Sequence, residues 1–431
     1  MKKFISLALV SALSATSLAA LASCKKTDVT LRVASWAEYI DEGEDGNNSM
    51  IEDFEKWYEE QTGKSVKVEY IELDDNETMY NKITLGEKYD LLCPSEYMIM
   101  KLQSEDRLQK YPETFFDASV ETNYYAQNVS PFIKTRFDEG KMKDGVSKWS
   151  EYAAGYMWGT TGFVVKHDFA EEAKSWNVVK NHGSKATAKN NVRDSYFMGL
   201  GMYYENNADD TKTLSEKMND TSVDTMNAVQ EILTAVKQSG VRFETDDAKE
   251  EIIEGKYDVS YQWSGDAVYI MDEAEDRSEG ELKYDYVIPE FSSNLWFDGW
   301  VMMKDAQVDV ATAFVNFVSK SENAVRNCDY IGYTPCVAGD AMLEYIAEQY
   351  APEDGTAEEE KTTYDLTYFF SASAASEEKY VIKTEKEQLH RQLFAQFPDK
   401  QTKERLIVME YFDKEVNDRA NNLWNNISGV K

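Results

Sequence analysis

With 431 residues the chain is long enough for two domains of the usual ~100 to 200 residues each. Hydrophobic residues at 42% and aromatics at 13%, with only 7 prolines, exclude a disordered or collagenous chain. A net charge of -33 repels phosphate backbones and anionic lipid headgroups, which excludes nucleic acid as a partner and favours a cationic ligand.

In chain order, Lys2 and Lys3 precede an apolar stretch from Phe4 to Ala22, the charged and hydrophobic regions of an export signal over residues 1–23. The closing Leu21-Ala22-Ser23-Cys24 resembles the lipobox of bacterial lipoproteins, whose cysteine becomes the lipidated first residue. Residues 24–28 then form a lipidated tether, and the protein is expected outside the cytoplasm on a bacterial membrane. No later run reaches the ~20 apolar residues of a membrane span, so the lipid is its one link to the bilayer.

Thr30 to Ser35 reads as a strand, and Ser49-Met50-Ile51-Glu52 as a capping box opening a helix through about Gln61, closed by Gly63. Val66 to Leu73 alternates as a second strand. Asn76 is placed to cap a helix through Leu85, and Tyr89 to Cys93 is a short apolar run of the kind buried in parallel sheets. This βαβαβ start predicts a doubly wound α/β lobe, with ligands beyond the carboxyl ends of its strands. Further along, Trp158-Gly159-Thr160-Thr161-Gly162 reads as a turn, Asp258 to Trp263 and Trp300 to Met303 as strands, and Val310 to Val318 as a helix. The acidic stretch from about 345 to 386 shows little strand signal and reads as an insertion.

Enzyme motifs are missing: there is no Walker loop, no His-Glu-x-x-His and no Gly-x-Ser-x-Gly, so neither catalysis nor a cofactor is expected. His167, His182 and His390 are scattered and give no zinc spacing, and no metal is expected. Asp41, Asp45, Gly46 and Glu52 approach an EF-hand loop, but Gly43 offers no ligand at the third position and Ser49 and Glu52 are already used as a cap. Cys93 reads as a small buried hydrophobe, while Cys328 and Cys336 are bridged only if their backbones lie close enough.

Aromatic and acidic residues recur at the predicted strand ends: Trp36, Glu38 and Tyr39; Ser95 and Tyr97; Trp263 with Asp266; Trp296 with Asp298. Rings with carboxylates at their ends suit an alkyl chain bearing ammonium groups, each worth roughly 0.5 to 2 kcal/mol over a ring face. The order and spacing of Trp36-Ala37-Glu38-Tyr39, Asn76 to Lys82, Tyr89-Asp90-Leu91 with Pro94-Ser95-Glu96-Tyr97, Trp158 to Gly162 and Ile331-Gly332-Tyr333-Thr334-Pro335 resemble the spermidine/putrescine-binding proteins that serve ABC transporters.

That resemblance, from about Leu31 to Asp340, implies a two-lobed periplasmic-binding-protein-like α/β fold of type II. The chain would cross between lobes near Trp158 to Gly162, Trp296 to Asp298 and Gly339 to Leu343. Residues 29–158 with 297–341 would form the first lobe, and 159–296 with 342–425 the second. It further implies a stacking box of Trp36, Tyr39 and Tyr97, a polar contact from Ser95, walls from Trp263 and Trp296, a carboxylate at Asp298 for an amine, and a contact from Tyr333, while Glu38 is a ligand-binding candidate by its place at a strand end. Asp194 fits a far-amine carboxylate, whereas Asn191 departs from the second carboxylate expected there and instead suits a helix cap. The implied partners are a polyamine and an ABC permease, with the binding protein a monomer. Two other readings stay open: another cation, such as a quaternary amine, or ferric iron held by Tyr124-Tyr125 or Tyr203-Tyr204; and a surface glycosidase using Glu38 and Asp298.

Overall fold

The computed structural model describes residues 27–43 and 46–429. The expected lipidation site, Cys24, and position 5 of the EF-hand-like loop, Asp45, lie outside the described residues. The fold is α/β and two-lobed. Its strands are β1 (Val29–Trp36), β2 (Val66–Leu73), β3 (Leu91–Leu92), β4 (Leu108–Gln109), β5 (Ala153–Lys166), β6 (Ala186–Lys189), β7 (Arg242–Glu244), β8 (Val259–Trp263), β9 (Tyr284–Val287), β10 (Ser293–Met303), β11 (Thr334–Pro335), β12 (Lys361–Asp365), β13 (Val381–Glu385) and β14 (Leu406–Ile407).

The main path of hydrogen-bonded strands runs β2-β1-β3-β10-β5-β8-β6-β7. At one end β1 pairs in parallel with β2 from Val29↔Val66 to Trp36↔Leu73 and with β3 at Val33↔Leu91. At the other end β6 is parallel to both β8 and β7. Between them the long strands β5 and β10 pair antiparallel, β10 pairing also with β3 of the first group and β5 with β8 of the second. Strand ends from both parallel groups therefore face this shared centre, where a doubly wound fold opens its cleft.

Local chemistry explains the elements. In helix Met50–Thr62 the Ser49 hydroxyl accepts from Glu52 N at 3.2 Å, the Glu52 carboxylate accepts from Ser49 N at 2.9 Å, and Gly63 closes the helix at φ 71. Asn76 does not cap the next helix, Asn76–Thr84; Asp75 does, accepting from Thr78 N at 2.6 Å. Asn76 instead braces Ser95, donating to its Oγ at 3.0 Å and accepting from its N at 3.1 Å.

The predicted turn at Trp158 to Gly162 lies in the middle of β5. Its glycines permit close approach: a Cβ on Gly159 would sit 2.3 Å from Ser264 Oγ, and one on Gly162 would sit 2.7 Å from the Tyr286 ring. The acidic stretch carries an antiparallel hairpin, β12 with β13. Its loop is anchored by Phe369, fully buried and stacked on Trp158 at 5.9 Å. Asp41, offered to calcium by the EF-hand reading, is taken by Arg326, whose Nε and Nη2 lie 3.0 and 2.6 Å from its Oδ2. Among the described residues no cluster of His, Cys, Asp and Glu is able to hold a metal ion. Cys93, Cys328 and Cys336 are buried free thiols.

Candidate ligand-binding site

Asp298 sits on β10 at a bulge between Asp298 and Gly299, opposite the carboxyl ends of β1 and β3. Its Oδ2 accepts from Trp36 Nε1 at 2.8 Å and from the Tyr39 hydroxyl at 2.9 Å. Ser95 forms an isolated β-bridge with it, held there by the Asn76 amide. The residue is 4% exposed, and its second oxygen, Oδ1, is buried with no hydrogen-bond partner. Burial pushes the carboxyl up, opposed by Ser95, Trp36 and Tyr39. Strand ends thus assemble a carboxylate with one oxygen fixed by donors and one left to accept.

From there the site runs along rings. Tyr333 packs edge-on between Tyr39, centroids 5.8 Å apart, and Trp296, centroids 5.4 Å apart. Trp296 is fixed by its Nε1, which donates to Thr160 O at 3.2 Å. Gly265 lets the Tyr333 ring approach, since a Cβ there would lie 2.3 Å from its Cγ. Sequence reasoning missed Gln396, which is buried and donates to Gly332 O at 3.0 Å, bracing the Tyr333 loop from 64 residues away.

The Tyr333 hydroxyl donates to Asp266 at 3.1 Å and leads towards β6 and helix Val192–Asn206. There Asn191 caps helix Val192–Asn206: its Oδ1 accepts from Asp194 N at 2.8 Å and its Nδ2 donates to Asp194 Oδ2 at 2.6 Å. Burial pushes the Asp194 carboxyl up, against hydrogen bonds from Asn191 and Trp263 and the charge of Lys189. Lys189, at the end of β6, was not singled out from sequence. Its ammonium lies 3.1 Å from Asp266 Oδ2 and 3.9 Å from the centroid of the Trp263 ring.

The structure thus brings Trp36, Tyr39, Ser95 and Asp298 together at one end, Trp296 and Tyr333 in the middle, and Trp263, Asp194 and Asn191 at the other. Glu38 does not join them: it is exposed at φ 52, beside the surface carboxylate Glu72.

A family model of bacterial extracellular solute-binding proteins matches residues 49–348. The chain belongs to that family. At 25% identity over 324 residues, 73% of this solute-binding protein aligns with 80% of the spermidine/putrescine-binding periplasmic protein of Escherichia coli, and equally with that of Salmonella typhimurium. In fold it is similar to a putative spermidine/putrescine ABC transporter protein from Listeria monocytogenes, with TM-score 0.64, 23% identity, and coverage of 93% of this chain and 99% of that one. A Treponema pallidum lipoprotein gives TM-score 0.63 at 16% identity, covering 92% and 99%. Among the described residues no helix of this solute-binding protein is long and apolar enough to cross a membrane.

Tyr97 occupies a different position from the rest of its expected box. It lines a cavity of about 270 Å³ with Glu77, Lys101, Arg193 and Phe412. The Arg193 guanidinium, from the helix that Asn191 caps, lies 4.4 Å over the Tyr97 ring and 3.7 Å over Phe412. One face of Tyr97 therefore receives a cation belonging to the chain itself. One hydroxyl of each tyrosine pair open to iron is engaged elsewhere: that of Tyr125 accepts from Gly155 N at 2.9 Å, and that of Tyr204 bonds to Asp220 and to Lys212.

Proposed function

We propose that this solute-binding protein captures a polyamine, putrescine or spermidine, outside the cell and passes it to the permease of an ABC transporter, held to the membrane by a lipid on Cys24. The observation that carries the reading is the unpartnered Oδ1 of Asp298, buried beside Trp36 and Tyr39. A primary ammonium offers that oxygen an N–H, and a charge-assisted hydrogen bond of this kind is worth roughly 1.5 to 3 kcal/mol. A quaternary amine has no N–H to give. The rings of Tyr39, Tyr333 and Trp296 provide an apolar path for the methylenes between amines, and the acidic net charge of -33 favours encounter with a cation. For a glycosidase the exposed Glu38 would have to face Asp298 across a sugar bond, and it does not join that group.

Native mass spectrometry of the chain extracted from its own membranes reads both halves of this proposal. A complex heavier by one putrescine or spermidine, on a mature chain starting at a diacylated or triacylated Cys24, is the expected result. A ligand mass matching neither amine would contradict the ligand assignment, and an unlipidated N-terminus would contradict the anchor.

A further inference from the structure

The second-lobe end of the site already contains an ammonium. Lys189 is fully buried, and its Nζ makes three contacts: Asp266 Oδ2 at 3.1 Å, Thr245 O at 3.2 Å, and the face of Trp263 at 3.9 Å. These are a carboxylate, a carbonyl and an indole face, the partners a ligand amine would seek. Most of the rest of the cluster is also committed. Asp266 Oδ1 takes Lys249 at 3.0 Å and the Tyr333 hydroxyl at 3.1 Å. Lys249 also pairs with Asp246 at 2.9 Å. Glu244 stands in register beside Lys189 on β7; its Oε1 accepts from Gln262 at 2.9 Å, while its Oε2 is buried without a hydrogen-bond partner next to the charge of Lys189. Burial would push the Asp266 carboxyl up, but Lys189 and Lys249 outweigh it and hold it at about 2, so it stays charged and paired.

Resting on the polyamine reading above, we infer that Lys189 is a specificity-determining residue: a tethered ammonium that fills the Trp263 and Asp266 subsite and thereby selects a short diamine over a triamine. A diamine needs carboxylates for two charges, and Asp298 and Asp194 supply two buried ones without a lysine hydrogen-bonded to them, whereas Glu244, also buried, already faces the Lys189 charge. The third charge of spermidine meets a subsite whose carboxylate is doubly paired and whose ring face is covered. Burying an ammonium there without a partner is costly. Asn191, by contrast, has both ends of its amide engaged with Asp194 and acts as the helix cap.

The test is competition calorimetry with putrescine and spermidine on the wild type and on Lys189→Met, a side chain of similar length without charge. Asp266 keeps Lys249 in this variant. The wild type is expected to prefer putrescine, and the variant to raise the spermidine-to-putrescine affinity ratio about tenfold. A rise of less than threefold overturns the inference while leaving polyamine capture standing, and so does a wild type that binds spermidine more tightly. If neither amine binds either protein, both readings fall. Should Lys189→Met fail to fold, Lys189→Met with Glu244→Gln removes the cation and its neighbouring carboxyl together, and the wild-type preference remains decisive by itself.

Discussion

Asp298→Asn is expected to weaken diamine binding by about thirtyfold or more. Removing one partner of a buried charge pair costs roughly 2 to 5 kcal/mol, and each 1.4 kcal/mol is about a factor of ten in Kd. The asparagine keeps an oxygen for the Trp36 and Tyr39 donors, so the ring framework is retained. It also removes a carboxyl that burial disfavours in its charged form. The melting temperature without ligand is therefore expected to hold or rise while affinity collapses, a combination that loss of fold does not produce. Calorimetric titration beside thermal melts checks both, and an unchanged Kd would move the amine away from Asp298.

The second large effect lies directly behind the site. Glu96 is 2% exposed, its carboxylate accepts from Phe297 N at 3.0 Å, and burial pushes it up from an ordinary 4.5 to about 8, with Asp298 adding to the rise. The folded protein therefore keeps a proton that the unfolded chain releases near pH 4.5. Stability is expected to fall as pH climbs from about 4.5 to 8, and to change no further through this group above that. Glu96→Gln retains an acceptor for Phe297 N and removes the titration. It is expected to be close to neutral at pH 4.5 and stabilising by on the order of 4 kcal/mol at pH 8.5, from 1.36 kcal/mol per pH unit. Urea unfolding of both proteins across this range decides it: parallel pH profiles would show that Glu96 does not carry the slope.

What the sequence made legible was set mostly by how far apart the interacting groups lie. The Ser49 and Glu52 box and the Gly63 cap were readable because their hydrogen bonds close within one helix. The ends of β1 and β3 were readable because parallel strands bury continuous apolar runs and leave Trp36 and Ser95 at their carboxyl ends. Asp298 was visible through a motif, but its orphaned oxygen depends on two donors about 260 residues away in sequence.

Glycine was ambiguous in a definable way. Gly159 and Gly162 look like turn residues, whereas their work is to admit Ser264, Trp296 and Tyr286 against a strand. Lys189 was illegible because its burial rests on Asp266, 77 residues on, and a lysine at a strand end ordinarily reads as solvent-facing. The hairpin in the acidic stretch was hidden by its short period, since in β12 only Tyr364 is buried among polar neighbours. Tyr97 carried the right residue type at the right spacing, but the presence of Arg193 on its ring face required the second lobe.

Isothermal calorimetry with putrescine beside its uncharged isostere 1,4-butanediol decides whether this cleft binds a protonated amine at Asp298. A saturable one-to-one isotherm is expected for putrescine, none for the diol, and loss of the putrescine isotherm in Asp298→Asn. No saturable heat from putrescine or spermidine at millimolar concentration, or equal binding of diamine and diol, would contradict it.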